Sequence, residues 1–520
     1  MTEAADLVVT NARIYTLAGE DREAEPDPEE ALAVRDGEVV RVGDTYEIEF
    51  LEGVETERID CEGRVVLPGF VDAHTHVENA GRYLVHADLS GADDAADCLD
   101  RLARRAAETE SGWVQGFGYD ESEWDGDDGY LTREQLDEVS EDRPVVALRI
   151  DMHAASLNSV ALAELEDELP EDDVRRAGGE PTGIVVEDAA ERVREHIAPG
   201  YDETRELVTS GLERAAEKGV TAVHDMVRNS RSPQVYRDLE AVGELPIRVR
   251  INYWADHLES AIEVGLATNA GSDRVRTGAI KTYTDGSIGA RTAKLFEPYE
   301  TEAEPDPGDD GEWVIAPDEL EEIVERADGT GFQVTAHAIG DEAIEEALSA
   351  LEATDDPEGS RHRIEHLELA TDDQLERMAE AGVVASMQPN FHQWAGEDGL
   401  YDQRLGRERR NRTNRLRRVL EHGIPLAFGS DCMPLDPLLG IHHAVNAPTD
   451  AQRLSVTEAI RAYTRGAAYA GFDEDRLGTL EISKRADLVV LEESPWEQPE
   501  RIDEIDVATT VVDGEVVFER

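Results

Sequence analysis

Strand-like and helix-like segments alternate through most of this chain, and that alternation is the feature that most restricts its fold. Runs of apolar and β-branched residues typical of buried strands occupy residues 65–71, 220–226, 246–253, 277–283, 331–337, 361–366, 382–388 and 424–430. Amphipathic stretches such as residues 341–348 fit outer helices. Strands that alternate with helices form parallel sheets, and eight of them can close into a barrel. The sequence therefore predicts an α/β protein built on a (β/α)8 TIM barrel.

The segment between the first two predicted strands, about residues 79–205, is too long for one connection. It contains a strand-like run of its own at residues 144–150. Because it leaves the carboxyl end of a barrel strand, we expect this insert to lie over the barrel mouth. Short strand-like runs near both termini suggest one small β-sandwich. The predicted domains are residues 1–64 and 475–520 for the sandwich, and residues 65–474 for the barrel with its insert.

The charge of the chain is strongly negative. It contains 118 Asp and Glu against 50 Lys and Arg, for a formal net charge of −68, and the acids are spread along its whole length. Such a surface is typical of proteins from a high-salt cytoplasm, in which salt screens the repulsion. The sign of the charge disfavours nucleic-acid binding.

The cysteine content and the length of the apolar runs indicate the cellular compartment of the protein. Three cysteines give no disulfide framework, and no apolar run approaches the length of a membrane span. The amino terminus lacks the pattern of a signal peptide. We therefore expect a cytoplasmic protein with a small-molecule substrate and neither a nucleic-acid nor a membrane partner, and homodimerisation stays open.

Histidine, lysine and aspartate residues stand at the carboxyl ends of several predicted strands. His74 and His76 follow the first strand, and residues i and i+2 of an extended segment point to one face. The corresponding positions of later strands hold Lys281, His337, His366 and Asp431. In a barrel all these ends meet around one mouth. Nitrogen and carboxylate ligands suit zinc, with cobalt, manganese and iron as alternatives.

Several short motifs extend this pattern. They are LPGFVDAHTH at residues 67–76, TAVHD at 221–225, DGSIGARTA at 285–293, HAIGD at 337–341 and GSD at 429–431. Together they resemble the amidohydrolase superfamily, in its YtcJ-like (amidohydrolase-3) branch, over nearly the whole chain. One position departs from that branch, since Ser483 stands where a glycine is usual before Lys-x-Ala-Asp. That position concerns a turn into the sandwich and not the chemistry.

The resemblance implies a hydrolase with one or two divalent ions, in which Lys281 is carboxylated and bridges two of them. A salt bridge from Lys281 to Asp285 or Glu365 is the structural alternative. Asp431 is the expected proton carrier, and the favoured reaction is hydrolysis of a non-peptide C–N bond in an amide, formamide or N-acyl compound. The candidate substrate contacts are Trp113, His153, Asp285 and Arg291, with packing within the insert as the alternative for Trp113 and His153.

Three other functions stay open at this point. Hydrolytic deamination at a single metal would make Lys281 incidental. A metal-dependent isomerase would use Asp431 to shuttle a proton. A scaffold without activity would be expected to lack at least one ligand, whereas the set of ligands here is complete.

Overall fold

The computed structural model describes residues 4–19, 21, 23–109, 112–121, 124, 129–150, 152–300 and 309–520. The chain forms two compact units, and their bounds differ from those of the predicted domains. The first unit consists of Met1–His76 with Leu212–Arg520, and the second of Val77–Gly211. The domain boundaries at residues 64 and 474 stay predictions.

Eight parallel strands form the main sheet of the first unit, and each is hydrogen-bonded to the next in chain order. These strands, labelled β1 to β8, are Phe70–Thr75, Val220–Val227, Arg248–Trp254, Val275–Tyr283, Val334–Ala338, Arg363–His366, Val384–Met387 and Leu426–Phe428. At least one helix lies between each consecutive pair of these strands, as is usual for a parallel sheet. This arrangement confirms the predicted α/β barrel.

The helices of this unit vary from single turns to three turns. They are Thr45–Glu49, Ser232–Val242, Leu258–Glu263, Pro317–Asp328, Asp341–Glu352, Pro357–Ser360, Asp372–Ala381, Leu400–Arg410, Leu416–Glu421, Pro437–Val445, Val456–Arg461 and Ala467–Ala470. A π-helical turn at Ala462–Gly466 joins the last two. The helix Tyr201–Glu217 begins in the second unit and ends in the first.

The first predicted strand, residues 65–71, is divided in the structure, which corrects its boundary. Val65–Pro68 pairs antiparallel with the C-terminal strand Leu488–Leu491, whereas the barrel strand β1 begins at Phe70. Between the two, a β-carbon on Gly69 would lie 2.3 Å from the hydroxyl oxygen of Thr221. Glycine therefore allows the chain to cross from one sheet to the other at this point.

The first and last barrel strands meet through the GSD motif. Among the described residues, backbone ladders join each neighbouring pair from β1 to β8 but do not join β8 to β1. Instead, the N–H of Asp431 donates to the carbonyl of His74 at 2.7 Å. The N–H and hydroxyl of Ser430 donate to the Asp72 carboxylate at 3.0 and 2.5 Å. We call this junction, formed by Asp72, His74, Ser430 and Asp431, the seam.

Strands from both termini form two further sheets. One contains Leu7–Thr10, Ala31–Arg35, Glu38–Gly43 and Glu57–Asp60, and the other contains Arg13–Ile14, Val65–Pro68, Leu488–Leu491, Val507–Val512 and Glu515–Glu519. Buried side chains of both sheets, among them Val34 and Val490, share one core cluster. In the hairpin between Ala31–Arg35 and Glu38–Gly43, Asp36 and Gly37 both have positive φ, as a two-residue Asp-Gly turn requires.

Ser483, the residue that departs from the family pattern, has a φ of 74°. Its N–H donates to the carbonyl of Val39 at 2.8 Å, which holds the turn beside the terminal sheets. A side chain in this left-handed region costs about 1–2 kcal/mol, so the glycine usual at this position has a conformational reason.

The second unit has its own mixed sheet. In spatial order its strands are Val174–Ala177, Glu180–Val186, Ala154–Leu157, Val145–Arg149, Val114–Tyr119 and Ala87–Asp88. The helices are Val77–Val85, Ala95–Glu108, Arg133–Val139, Ser159–Leu165 and Glu187–His196. The position of this unit over the barrel mouth stays a prediction. Across the described part of the chain, no helix combines the length and apolar character needed to cross a membrane.

Candidate metal centre

Three side chains that could hold a metal ion converge at the carboxyl ends of β1, β6 and β8. One donor atom from each of His74, His366 and Asp431 lies within 4.8 Å of the others. His76 joins them, because its Nε2 lies 3.2 Å from Asp431 Oδ1, and His74 Nε2 lies 3.5 Å from the same oxygen. We call these four residues the candidate metal centre.

The remaining two predicted ligands lie next to this centre. The imidazole centroid of His337 is 4.5 Å from that of His366 and 4.4 Å from the ring of Tyr283. Lys281 Nζ lies 5.2 Å from the centroid of the Tyr283 ring. Burial lowers the pKa of the Lys281 ammonium to about 8. The structure thus brings all six predicted ligands into one region of the barrel mouth.

Hydrogen bonds orient the two histidines of the His-x-His pair. His74 Nδ1 lies 2.6 Å from Glu365 Oε2, and His76 Nδ1 lies 3.1 Å from the carbonyl oxygen of Met226. Both partners can only accept, so each Nδ1 donates to its partner, and in the neutral imidazole each Nε2 then keeps its lone pair. Each Nε2 is also the atom nearest Asp431. A second group that fixes the tautomer of a histidine is the usual support of a metal ligand.

Asp285, a predicted substrate contact, organises the loop that follows β4. Its carboxylate accepts three backbone N–H groups, those of Lys294, Ile339 and Gly340, at 2.8, 3.1 and 2.8 Å. Burial raises the pKa of this carboxyl to about 7. In the same loop, the carbonyl of Gly286 accepts from His337 Nε2 at 2.9 Å, which leaves Nδ1 as the lone-pair nitrogen. Contact of Asp285 with substrate stays a prediction.

A buried ion pair between Arg363 and Glu365 supports His74. The sequence predicts Glu365 as an alternative salt-bridge partner of Lys281. The Arg363 guanidinium lies 2.5 Å from Glu365 and donates to the carbonyl of Ala73 at 2.6 Å. Burial opposes ionisation of Glu365, but the Arg363 charge and the hydrogen bond from His74 hold its pKa well below the usual range. The sequence does contain a signal for the ion pair, because Arg363 and Glu365 are two residues apart in β6 and such residues point to the same face of a strand.

Two of the predicted ligands have backbone angles in the left-handed region, with φ of 70° at His366 and 53° at Asp431. In a regular strand, Glu365 and His366 would point to opposite faces. The positive φ turns the chain at His366, so both side chains serve the same site. Such conformations cost about 1–3 kcal/mol each and concentrate at functional sites.

At three of the four residues of the candidate metal centre, the pKa shifts favour the form that binds a cation. Burial lowers the pKa of His74 and His366, and it lowers that of His337 to about 3. The pKa of Asp431 is lowered although burial opposes this, because His74 and His76 stabilise the carboxylate. The same contact raises the pKa of His76 against the effect of burial. Neutral imidazoles and an ionised carboxylate are the forms that bind metal ions.

The other predicted substrate contacts lie in separate segments. Trp113 and His153 belong to the second unit, in which Trp113 Nε1 donates to Glu164 at 3.4 Å. His153 is exposed and lies 3.2 Å from Glu187. Arg291, in the loop after β4, has a φ of 60°. Their contacts with substrate stay predictions.

Comparison with known proteins identifies the family. An amidohydrolase family model, Amidohydro_3, matches residues 57–518. The chain belongs to the amidohydrolase family. This amidohydrolase is 31% identical to the putative amidohydrolase YtcJ of Bacillus subtilis over 98% of each chain. It is 26% identical to an N-substituted formamide deformylase of Arthrobacter pascens, over 100% of this chain and 99% of that protein.

Solved structures agree with this assignment. The amidohydrolase matches an uncharacterised metal-dependent hydrolase from Pyrococcus furiosus with a TM-score of 0.79 and 32% identity, covering 94% of this chain and 99% of that one. A second one, from Pyrococcus horikoshii, gives a TM-score of 0.80 at 30% identity, covering 95% and 99%. The predicted YtcJ-like family and enzyme class are confirmed. The family and the His/Asp cluster together support a divalent metal ion at this site.

Proposed function

We propose that this amidohydrolase hydrolyses a non-peptide C–N bond in an amide, formamide or N-acyl small molecule with the help of divalent metal. The observation that carries the proposal is the convergence of His74, His76, His366 and Asp431, with the lone pairs of His74 and His76 oriented by hydrogen bonds. The formamide deformylase among the relatives supports this class of bond.

The residues have separable roles in this reaction. One or two ions, zinc by the nature of the donors, would be held by the six ligands, and when bound would activate water and polarise the scissile carbonyl. The Asp431 carboxylate, kept ionised by its histidine neighbours, is placed to accept a proton from water at Oδ1 or Oδ2. It would then donate that proton to the leaving nitrogen. Glu365 and the Met226 carbonyl keep His74 and His76 in the required tautomer.

Product analysis in oxygen-18 water tests the proposal. The metal-loaded enzyme, offered a panel of N-formyl and N-acyl amines, should release a free amine and a carboxylate that contains one solvent oxygen. The double variant His74→Ala/His76→Ala should lose at least one ion and all turnover. Ammonia released from an amino-heterocycle would favour deamination instead. An isomeric product without label would favour an isomerase.

We propose further that Lys281 is carboxylated. Its Nζ is buried and has no hydrogen-bond partner among the described residues, which argues against the structural salt bridge. The other three lysines, Lys218, Lys294 and Lys484, all pair with acids. An ammonium has no lone pair for a cation, whereas the neutral amine can add carbon dioxide and lose a proton to give a carbamate. The two carbamate oxygens could bridge two ions.

Replacing Lys281 with alanine should therefore remove one ion per chain and most of the activity. Short carboxylic acids in solution should restore part of both, because they supply the missing oxygens. Metal content by elemental analysis and kcat measure the two effects, and Lys484→Ala is the matched control. Full metal content in Lys281→Ala would leave a mononuclear site and raise deamination to equal standing.

We also propose that the protein works in a high-salt cytoplasm, as the net charge of −68 suggests. Salt at molar concentration reduces the Debye length to about 3 Å and screens the repulsion among exposed carboxylates. The thermal midpoint should therefore rise steeply from low salt to molar potassium chloride, as measured by calorimetry. An unchanged midpoint would contradict this proposal.

A further inference from the structure

A short 3-10 helix, Pro389–Trp394, begins two residues after the strand β7. In the sheet β7 lies between β6 and β8, and those two strands lead to His366 and Asp431. None of the six predicted ligands follows β7 itself. The helix is nevertheless largely buried, since Asn390 is 1% exposed and Phe391 is 5% exposed. The reaction proposed above assigns no role to this helix.

Asp431 stands on a tight turn formed by residues 430–433. The Met433 N–H donates to the Ser430 carbonyl at 3.2 Å, and the two central residues, Asp431 and Cys432, have φ of 53° and 62°. Positive φ at both central positions is typical of a type I′ turn, in which Asn-Gly and Asp-Gly are the usual pairs. A cysteine in place of the glycine costs about 1–3 kcal/mol and keeps this conformation only when the surrounding structure determines it. The turn that carries Asp431 therefore needs support from outside.

Asn390 provides this support from the side of β7. Its Nδ2 donates to the carbonyls of Ser430 and Met433, the first and last residues of the turn, at 2.9 and 2.7 Å. Both acceptors are carbonyl oxygens, so only the amide nitrogen of Asn390 can face them. From the side of β1, the seam holds the same turn through the N–H of Asp431 and the hydroxyl of Ser430. The turn is thus attached on two sides, and Asn390 supplies one of the two attachments.

The same helix contacts a second ligand. The Phe391 ring stacks on the His366 imidazole, with centroids 5.7 Å apart and ring planes inclined by 6°. Trp394 packs against Phe391, with 4.9 Å between the ring centroids. These contacts fix the helix relative to His366, and the hydrogen bonds of Asn390 then fix the turn of Asp431 relative to the helix.

We propose that Asn390 is a positioning residue of the candidate metal centre, which holds the Asp431 carboxylate against His74 and His76. The inference rests on the metal-dependent function proposed above. Asp431 Oδ1 lies 3.5 Å from His74 Nε2 and 3.2 Å from His76 Nε2. A turn attached only at the seam could rotate about that attachment and move the carboxylate away from these nitrogens. Because Asn390 binds both ends of the turn, it prevents this rotation.

Replacing Asn390 with leucine keeps the approximate size of the side chain but removes both hydrogen bonds. The zinc affinity of the metal-free protein, measured by titration, should fall by a factor of about 10–100, as is usual when a group that orients a ligand is lost. At saturating zinc, kcat should fall by a similar factor with little change in KM. Asn446→Leu is the matched control, because the exposed Asn446 amide also donates to two carbonyls, those of His442 and Pro499, at 3.0 and 2.8 Å. This control should keep the zinc affinity and kcat of the wild type.

The Asp431→Asn background separates positioning from a general loss of structure. At saturating zinc, Asn390→Leu should lower kcat by a factor of less than about 2 in that background, because the positioned group no longer transfers a proton. An equal loss of kcat in both backgrounds, or an unchanged zinc affinity with only a lower thermal midpoint, would overturn the proposal. If Asn390→Leu does not fold, Asn390→Ser keeps at most one of the two hydrogen bonds and should show the same losses, reduced in size. The zinc titration needs no substrate, so its result does not depend on whether the proposed hydrolysis is found.

Discussion

Replacing Asp431 with asparagine is expected to lower kcat by a factor of about 10³ while most of the metal is retained. The amide keeps an oxygen for the ion but cannot accept and return a proton. The seam should survive, because its hydrogen bond to His74 uses the backbone N–H of residue 431, and asparagine tolerates positive φ. Steady-state kinetics and elemental analysis on the same preparation measure both quantities.

Asp355→Asn provides a matched control, since that aspartate is exposed and lies after the helix Asp341–Glu352. Its kcat should equal that of the wild type. If Asp431→Asn also kept a near-normal kcat, the general base would be another carboxylate. Asp341 and Glu365 would then be the residues to replace next.

Glu365→Gln is expected to destabilise the fold by about 3–5 kcal/mol, because the buried Arg363 charge would lose its partner. Neither side chain of this pair has measurable exposure to solvent. Metal affinity should fall by a factor of about 10–100, since a neutral amide holds the Nδ1 proton of His74 less firmly than a carboxylate. Urea unfolding of the metal-free protein gives the first quantity, and metal titration gives the second.

The partly exposed ion pair of Glu345 and Arg377 provides the control for Glu365→Gln. Glu345→Gln should change the free energy of unfolding by about 1 kcal/mol or less, as expected of a solvated ion pair. A Glu365→Gln variant as stable as the Glu345→Gln variant would show that the Arg363 charge is balanced by other groups. In that case the loss of metal affinity, if any, would have to arise from His74 alone.

The barrel was predictable from local pattern, because strands buried on both faces are short apolar runs between helices. The boundary of β1 was not, since Val65–Pro68 and Phe70–Thr75 form one continuous apolar run that two sheets share. Gly69 marks the division through a contact with Thr221, and no local pattern shows a contact between residues so far apart. In the second unit, the strand Val174–Ala177 is largely exposed, so it carries no hydrophobic signal.

The candidate site likewise has a part that could be predicted from the sequence and a part that could not. The six ligands could be proposed because barrel strands end at a common mouth, so a histidine, lysine or aspartate at each end has a predictable location. The support of His74 by Glu365 could not be assigned, because regular alternation in β6 separates Glu365 from the ligand His366. The positive φ at His366 brings both side chains to the same site, and a single sequence does not show that backbone angle.

The seam implies a structural role for the proposed metal ion. His74 stands on the first strand and Asp431 directly after the last, and hydrogen bonds among these two residues, Ser430 and Asp72 join the strands at this junction. An ion bound by both residues would link the first strand to the last at the point where the backbone hydrogen-bond ladder is interrupted. Removing the ion with a chelator should then weaken the seam. Hydrogen exchange of the backbone amides of residues 429–431 should become faster, and its rate would measure occupancy of the centre without any substrate.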